Sequence, residues 1–72
     1  MEKYKVGDKV IFLDGSIYVV GEITSKGETI YSPNHWAHKC IIIEVSTDYG
    51  TDVFYDPIII CQYNEFSKGL YL

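Results

Sequence analysis

The sequence predicts an all-β fold: one domain over residues 1–72, built as a small, strongly bent barrel of five to six short antiparallel strands. Three observations predict it. The first is residue choice, since ten Ile, six Val, seven Tyr, three Phe, four Thr and one Trp stand against one Ala, one Met and three Leu. β-Branched and aromatic side chains fit a pleated, half-buried surface, whereas Ala and Leu are the residues that lose least on entering a helix. The second is punctuation, because six glycines break the chain at the intervals typical of short strands. The third is size. Five or six short strands in 72 residues cannot form a two-sheet sandwich of normal depth, and a bent barrel is the closure that removes exposed edges.

Val6-Gly7-Asp8-Lys9-Val10 reads as a turn feeding a first strand over 8–13, and Asp14-Gly15 is a hairpin signal. A second strand follows over 16–24. Gly21 lies inside it, and a strand-interior glycine marks a bulge or sharp bend. Residues 25–28 turn the chain into a short apolar piece over 29–32, which Pro33-Asn34-His35 interrupts. The longest strand is predicted over 38–46, with a hairpin partner over 51–55. A two-residue type I′ turn between them would force a positive φ on Tyr49, so a three-residue loop with Gly50 left-handed is expected. That register sets Val45 opposite Val53 and Ile43 opposite Tyr55, with Phe54 on the other face. Pro57 cannot donate to a ladder, so Asp56-Pro57 ends the strand or begins a turn. A last strand over 58–61, a single helical turn over 62–66 and a short terminal piece over 70–72 complete the chain.

Composition excludes several classes. Hydrophobic residues at 47% and charged residues at 22% are too apolar and too weakly charged for a disordered tail. One small domain rules out a two-domain enzyme, and it buries only about 60% of the surface its unfolded chain exposes. Met1-Glu2-Lys3-Tyr4-Lys5 leads into a polar turn with no apolar signal-peptide core behind it. The apolar runs at 41–43 and 58–61 fall far short of the ~20 residues that span a bilayer. Two cysteines, Cys40 and Cys61, are too few for a disulfide framework and point to a reducing compartment. A soluble, cytoplasmic protein with no membrane partner is expected.

The stretch Tyr4-Lys5-Val6-Gly7-Asp8-Lys9-Val10-Ile11-Phe12, the Asp14-Gly15 turn and Val20-Gly21-Glu22-Ile23 resemble the opening hairpin of SH3-like small barrels. Tudor-like and KOW-like modules and various small phage or prophage proteins are similar here. Val53 to Ile58, with its aromatic residues, Asp56 and Pro57, is similar to the closing strands of such barrels. The resemblance implies an SH3-like barrel of five to six short antiparallel strands and, by itself, no function. A KOW-like module would carry basic residues around the hairpin that meets RNA, where this chain has Asp14, Glu22 and Glu28.

The chemistry-bearing residues are few. His35, His38, Cys40 and Cys61 are the soft-ligand set, yet their spacing is not that of a zinc knuckle, and free thiols pack as small core hydrophobes. No metal and no cofactor is expected. A Cys–His nucleophile would need a concave site with oxyanion donors, for which a thin barrel has little room, so no enzyme activity and no catalytic residue is expected. The net charge is −4, with six Lys and no Arg against ten acids. All of it falls on residues 40–72, where Asp48, Asp52 and Asp56 could rim the hairpin. Such a rim serves solubility or steers a basic partner. Nucleic-acid affinity comes from cations that neutralise phosphates, so this charge argues against nucleic acid.

Tyr18, Tyr31, Trp36, Tyr49, Phe54 and Tyr55 are the surface-aromatic candidates. Trp36 stands out because it lies in the loop after Pro33, outside any alternating strand; exposed Trp and Tyr are typical protein-binding anchors. Trp36 could equally fold back as a lid on the barrel. A Tudor-like resemblance would imply a cage for a methylated cation. The expected function is a non-catalytic protein-interaction module, an accessory protein of a phage or mobile element, binding an unidentified protein through Tyr31, Trp36, Asp48, Tyr49 and Asp52. The alternative is a small barrel that binds single-stranded DNA or RNA on a Lys-plus-aromatic face.

Overall fold

The computed structural model describes residues 3–72, so the Met1-Glu2 start of the polar lead-in lies outside the described residues. Five strands form one antiparallel sheet: β1 (Lys9–Asp14), β2 (Ile17–Lys26), β3 (Ile41–Thr47), β4 (Gly50–Tyr55) and β5 (Ile58–Gln62). A 3-10 turn, Gly27–Thr29, follows β2, and one short helix, α1 (Glu65–Tyr71), ends the chain. The fold is all-β, as the residue choice predicts.

The sheet order is β4-β3-β2-β1-β5, which makes β4 and β5 the two outer strands. They are nevertheless joined by Asp56 and Pro57 alone. Three Cα–Cα steps reach at most about 11 Å, whereas four strand spacings in a flat sheet would separate the outer strands by about 19 Å. The sheet therefore curls on itself until its outer strands meet at this end. Two bulges assist the bend: Thr24 is the extra residue of β2 against β3, and Ile60 that of β5 against β1. Asp56 takes the corner with φ +52°, and its N–H donates to the Ile41 carbonyl at 2.7 Å.

The core lies on the concave face. Val10 and Phe12 from β1, Ile23 from β2 and Ile43 from β3 are fully buried, with Val19, Val45, Phe54 and Ile59 packed round them. Phe12 and Phe54 meet at 4.9 Å between ring centroids. Gly21 is not a bulge. It pairs regularly with Val10, and a Cβ there would stand 2.5 Å from Ile43 Cγ2 and 2.9 Å from Phe12 Cε1. The glycine is needed for the room it leaves to the core.

The β3–β4 hairpin corrects the expected register by one residue. Thr47 pairs with Gly50, so Ile43 faces Phe54, Glu44 faces Val53 and Val45 faces Asp52. Tyr49 does avoid a positive φ, and Gly50 takes it at +129°. The expectation missed Thr47, whose hydroxyl accepts from the Tyr49 N–H at 3.2 Å and donates to the Gly50 carbonyl at 2.9 Å. This brace lets a two-residue loop close without a left-handed tyrosine. Phe54 thus turns into the core, and Tyr55 turns out.

The short apolar piece over 29–32 lies in the end of the 3-10 turn and the bends after it, and Ile30 is exposed. Two further expectations change. The third strand begins at Ile41 because residues 35–39 are held in consecutive turns, with His38 N–H on the His35 carbonyl and Cys40 N–H on the Ala37 carbonyl, both at 3.0 Å. The terminal helix starts at Glu65 and runs through Gly69. Asn64 caps it, accepting from the Ser67 N–H at 2.9 Å while Ser67 Oγ accepts from the Asn64 N–H at 2.8 Å. On the convex face Ile11 is fully buried, and Tyr71 of α1 packs on Tyr18 at 5.0 Å.

Candidate functional site

Segment 27–40 folds over the convex side of the sheet near the end of β4. Its entry depends on Gly27, whose N–H donates to the Cys40 carbonyl at 2.8 Å. A Cβ at Gly27 would fall on the Ala37 carbonyl oxygen. Only a glycine allows the two ends of the segment to lie so close. Thr29 Oγ1 donates to the Lys26 carbonyl at 2.7 Å, and the N–H of Tyr31 reaches the Gly27 carbonyl at 2.8 Å. Ala37 is fully buried and anchors the far side.

Both histidines are engaged in this scaffold. His35 Nδ1 accepts the Ala37 N–H at 3.0 Å. His38 Nδ1 lies 3.0 Å from the Tyr31 carbonyl, which can only accept, so that nitrogen carries the proton. Cys40 and Cys61 are free thiols, and no group of three or more His, Cys, Asp or Glu among the described residues could hold a metal ion.

What the segment displays is aromatic. Tyr31 stacks on His35 at 4.1 Å with an interplanar angle of 11°. Trp36 lies 5.6 Å from His35 and meets Tyr55 edge-on at 5.5 Å. The Tyr31 and Tyr55 hydroxyls are 3.4 Å apart, closing the group into a ring of contacts. Trp36 is not a lid, since 72% of it is exposed. At 4.1 Å the Tyr31 and His35 rings leave no space for a cation between them. The cluster is a platform.

The structure divides the predicted site residues. Tyr31 and Trp36 come together, joined by His35 and Tyr55. Asp48, Tyr49 and Asp52 lie toward the other end of the β3–β4 hairpin, where Tyr49 projects fully into solvent. The length of β4, about 17 Å, separates the hairpin tip from Tyr55. Tyr18 sits elsewhere, against α1, and Phe54 belongs to the core. His35 was legible only as a metal candidate; its place one residue before Trp36 in a turn-forming loop was the available signal.

A second feature shares the convex face. An open groove of about 410 Å³ is lined by Lys9, Val20, Glu22, Glu44, Ser46 and Tyr63, among others. Lys9 pairs with Glu22, Glu22 with Glu44, and Glu44 with Val53, a row crossing four strands. Directly opposed residues of an antiparallel ladder share a face, with Cβ atoms about 5 Å apart. The Glu22 and Glu44 side chains therefore leave the sheet as neighbours on this face. No helix of the described residues is long and apolar enough to cross a membrane. Comparison with protein-family models, with curated proteins and with solved structures finds no match for this chain.

Proposed function

We propose that this protein is a non-catalytic protein-interaction module whose principal contact surface is the Tyr31–His35–Trp36–Tyr55 platform. The observation that supports this reading is the combination of exposure and rigidity at Trp36. Its ring is largely solvent-facing yet contacted by Tyr55 and His35, and the loop beneath it is braced by backbone hydrogen bonds at Gly27, Tyr31, His35, His38 and Cys40. A large apolar side chain held in one position loses little conformational entropy on binding, which is why rigid Trp and Tyr residues dominate interface energetics. The acidic hairpin tip, with Asp48, Tyr49 and Asp52, is a second contact that would steer a basic partner toward the surface. The free thiols of Cys40 and Cys61 support a reducing, cytoplasmic setting. The curled five-strand antiparallel sheet, closed by the two-residue link from β4 to β5, supports the small-barrel part of the SH3-like reading.

The test is affinity capture from the native host with wild type, Trp36→Ala and Asp52→Lys, each first shown by circular dichroism and thermal melting to be folded. Capture of a partner by wild type and its loss with Trp36→Ala is the expected result. Recovery of the same proteins by both variants would overturn the assignment.

A further inference from the structure

The platform and the groove are neighbours on one face, and their spacing specifies a ligand. Tyr55 and Val53 are two residues apart on β4 and therefore point to the same side. Val53 is directly opposite Glu44, and Glu44 opposite Glu22. From Tyr55 the path to the carboxylate pair runs about 7 Å along the strand and about 7 Å across it, or roughly 10 Å in all. Val53 and Tyr55 are both 44–45% exposed, so apolar surface bridges the two features.

The groove has an unbalanced charge. Its row carries one ammonium, Lys9, and two carboxylates, Glu22 and Glu44, and no ion pair joins them among the described residues. Like charges placed directly opposite in a ladder are destabilising, and a cation seated between them would relieve that repulsion. Val20 and Tyr63 supply apolar walls along which the stem of a long cationic side chain can lie.

We propose that, resting on the interaction-module reading, this face binds an extended peptide segment bearing an apolar or aromatic anchor for the Tyr31–Trp36–Tyr55 platform and an unmodified Arg or Lys about three residues away for the Glu22–Glu44 groove. Three extended residues span about 10 Å, which matches the distance from Tyr55, the near edge of the platform, to the Glu22–Glu44 pair. The platform supplies affinity, and the carboxylate pair supplies selection by charge.

Fluorescence anisotropy with labelled seven-residue peptides tests this. One peptide carries a tryptophan and, three positions on, an arginine, with serines elsewhere; a twin has glutamate in place of the arginine. The arginine peptide is expected to bind about tenfold tighter than its twin, a difference of about 1.4 kcal/mol. Glu22→Gln and Glu44→Gln are each expected to cut that preference about two- to fivefold, and the double variant to abolish it. Both substitutions sit on the solvent-facing side and remove a repulsion, so folding is retained, which thermal melts check. Equal binding of the two peptides, an unchanged ratio in the double variant, or no binding of the arginine peptide would overturn the proposal. The first two results leave the platform standing if Trp36→Ala weakens both peptides alike, so failure of the groove and failure of the module are told apart.

Discussion

The hydroxyl of Tyr31 lies 3.4 Å from that of Tyr55, a contact between residues 24 apart that ties the loop platform to the end of β4. The hydrogen bond to Tyr55 raises the Tyr31 pKa above its ordinary value of 10.0, with desolvation and the nearby Tyr55 and Cys40 groups adding in the same direction. The neutral phenol is the favoured form in the folded state. A group whose folded pKa is raised contributes stability below the unfolded value and loses it as pH climbs through the folded one. The Tyr31–Tyr55 contact is therefore favoured at neutral pH and weakens in alkali, above about pH 10. Comparison of wild type with Tyr31→Phe checks this. The wild-type melting temperature should fall relative to the variant as pH rises above about 10 and run parallel to it below. Parallel curves throughout would show that the contact carries no linkage.

The core face of β4 gives a second test, because it discriminates between the two hairpin registers. Phe54 packs on Phe12, whereas Val53 and Tyr55 face outward. Phe54→Ala should cost about 2–4 kcal/mol, below the full range for a completely buried ring because Phe54 keeps some exposure. Val53→Ala should cost less than about 1 kcal/mol. Urea denaturation of the two variants reads the difference, and a reversed order would restore the register with Tyr55 directed inward.

That register shows where the sequence was legible and where it was not. The strands follow from β-branched runs between glycines, and the ban on a left-handed Tyr49 was physically right. The loop length depended on a side-chain brace from Thr47 that alternation alone does not reveal. A slip of one residue then exchanged Phe54 for Tyr55 and set Tyr55, one of the four platform residues, toward the core, since period-two patterns move every side chain to the other face at once. The bulge reading of Gly21 failed for a related reason. The glycine signal was real, but its cause was a crowded core above β2, visible only when Phe12, Ile43 and Val45 are placed. Trp36 was legible because no alternating pattern claimed it; its partners His35 and Tyr55 come from different elements. The pairing of Glu22 with Glu44 is likewise a long-range fact, fixed by the bulge at Thr24.

Gly27 should prove the most sensitive position outside the core. Alanine there would drive a methyl group into the Ala37 carbonyl, which is backbone and has no rotamer to retreat to. The two ends of segment 27–40 must part, breaking the Gly27 N–H bond to Cys40 and uncovering Ala37. The expected cost is about 3 kcal/mol or more, the upper end for overpacking. Trp36 fluorescence should shift at the same time, because its contacts with His35 and Tyr55 depend on the loop. A Gly27→Ala variant with wild-type stability and emission would contradict the close approach.

The terminal helix rests on its cap. Seven residues are too few for a helix to persist alone in water, so Asn64 and Ser67 and the contact of Tyr71 with Tyr18 must hold it. Asn64→Ala removes the side-chain acceptor for the Ser67 N–H and should cost about 1 kcal/mol. Amide exchange should accelerate over residues 65–71 while strands β1 to β3 keep their protection. Uniform acceleration would mean that the helix unfolds only with the sheet.

Glu44 offers a test of whether the convex face is shaped for binding at the expense of stability. It stands between Glu22 and Val53, half-buried and opposite a like charge. A sheet selected for stability alone would place a β-former there. Glu44→Thr removes the repulsion and supplies a branched side chain, so it should raise stability by about 0.5–1 kcal/mol. The gain should shrink in about 1 M salt, where the Debye length of about 3 Å is shorter than the Cβ spacing of about 5 Å between opposed residues. Denaturation at low and high salt reads both effects. A stability gain at low salt accompanied by loss of the preference for the arginine peptide would show one residue serving recognition at a structural cost. A destabilised Glu44→Thr variant would instead mean that the carboxylate contributes to the fold and that its pairing with Glu22 is no guide to what the groove holds.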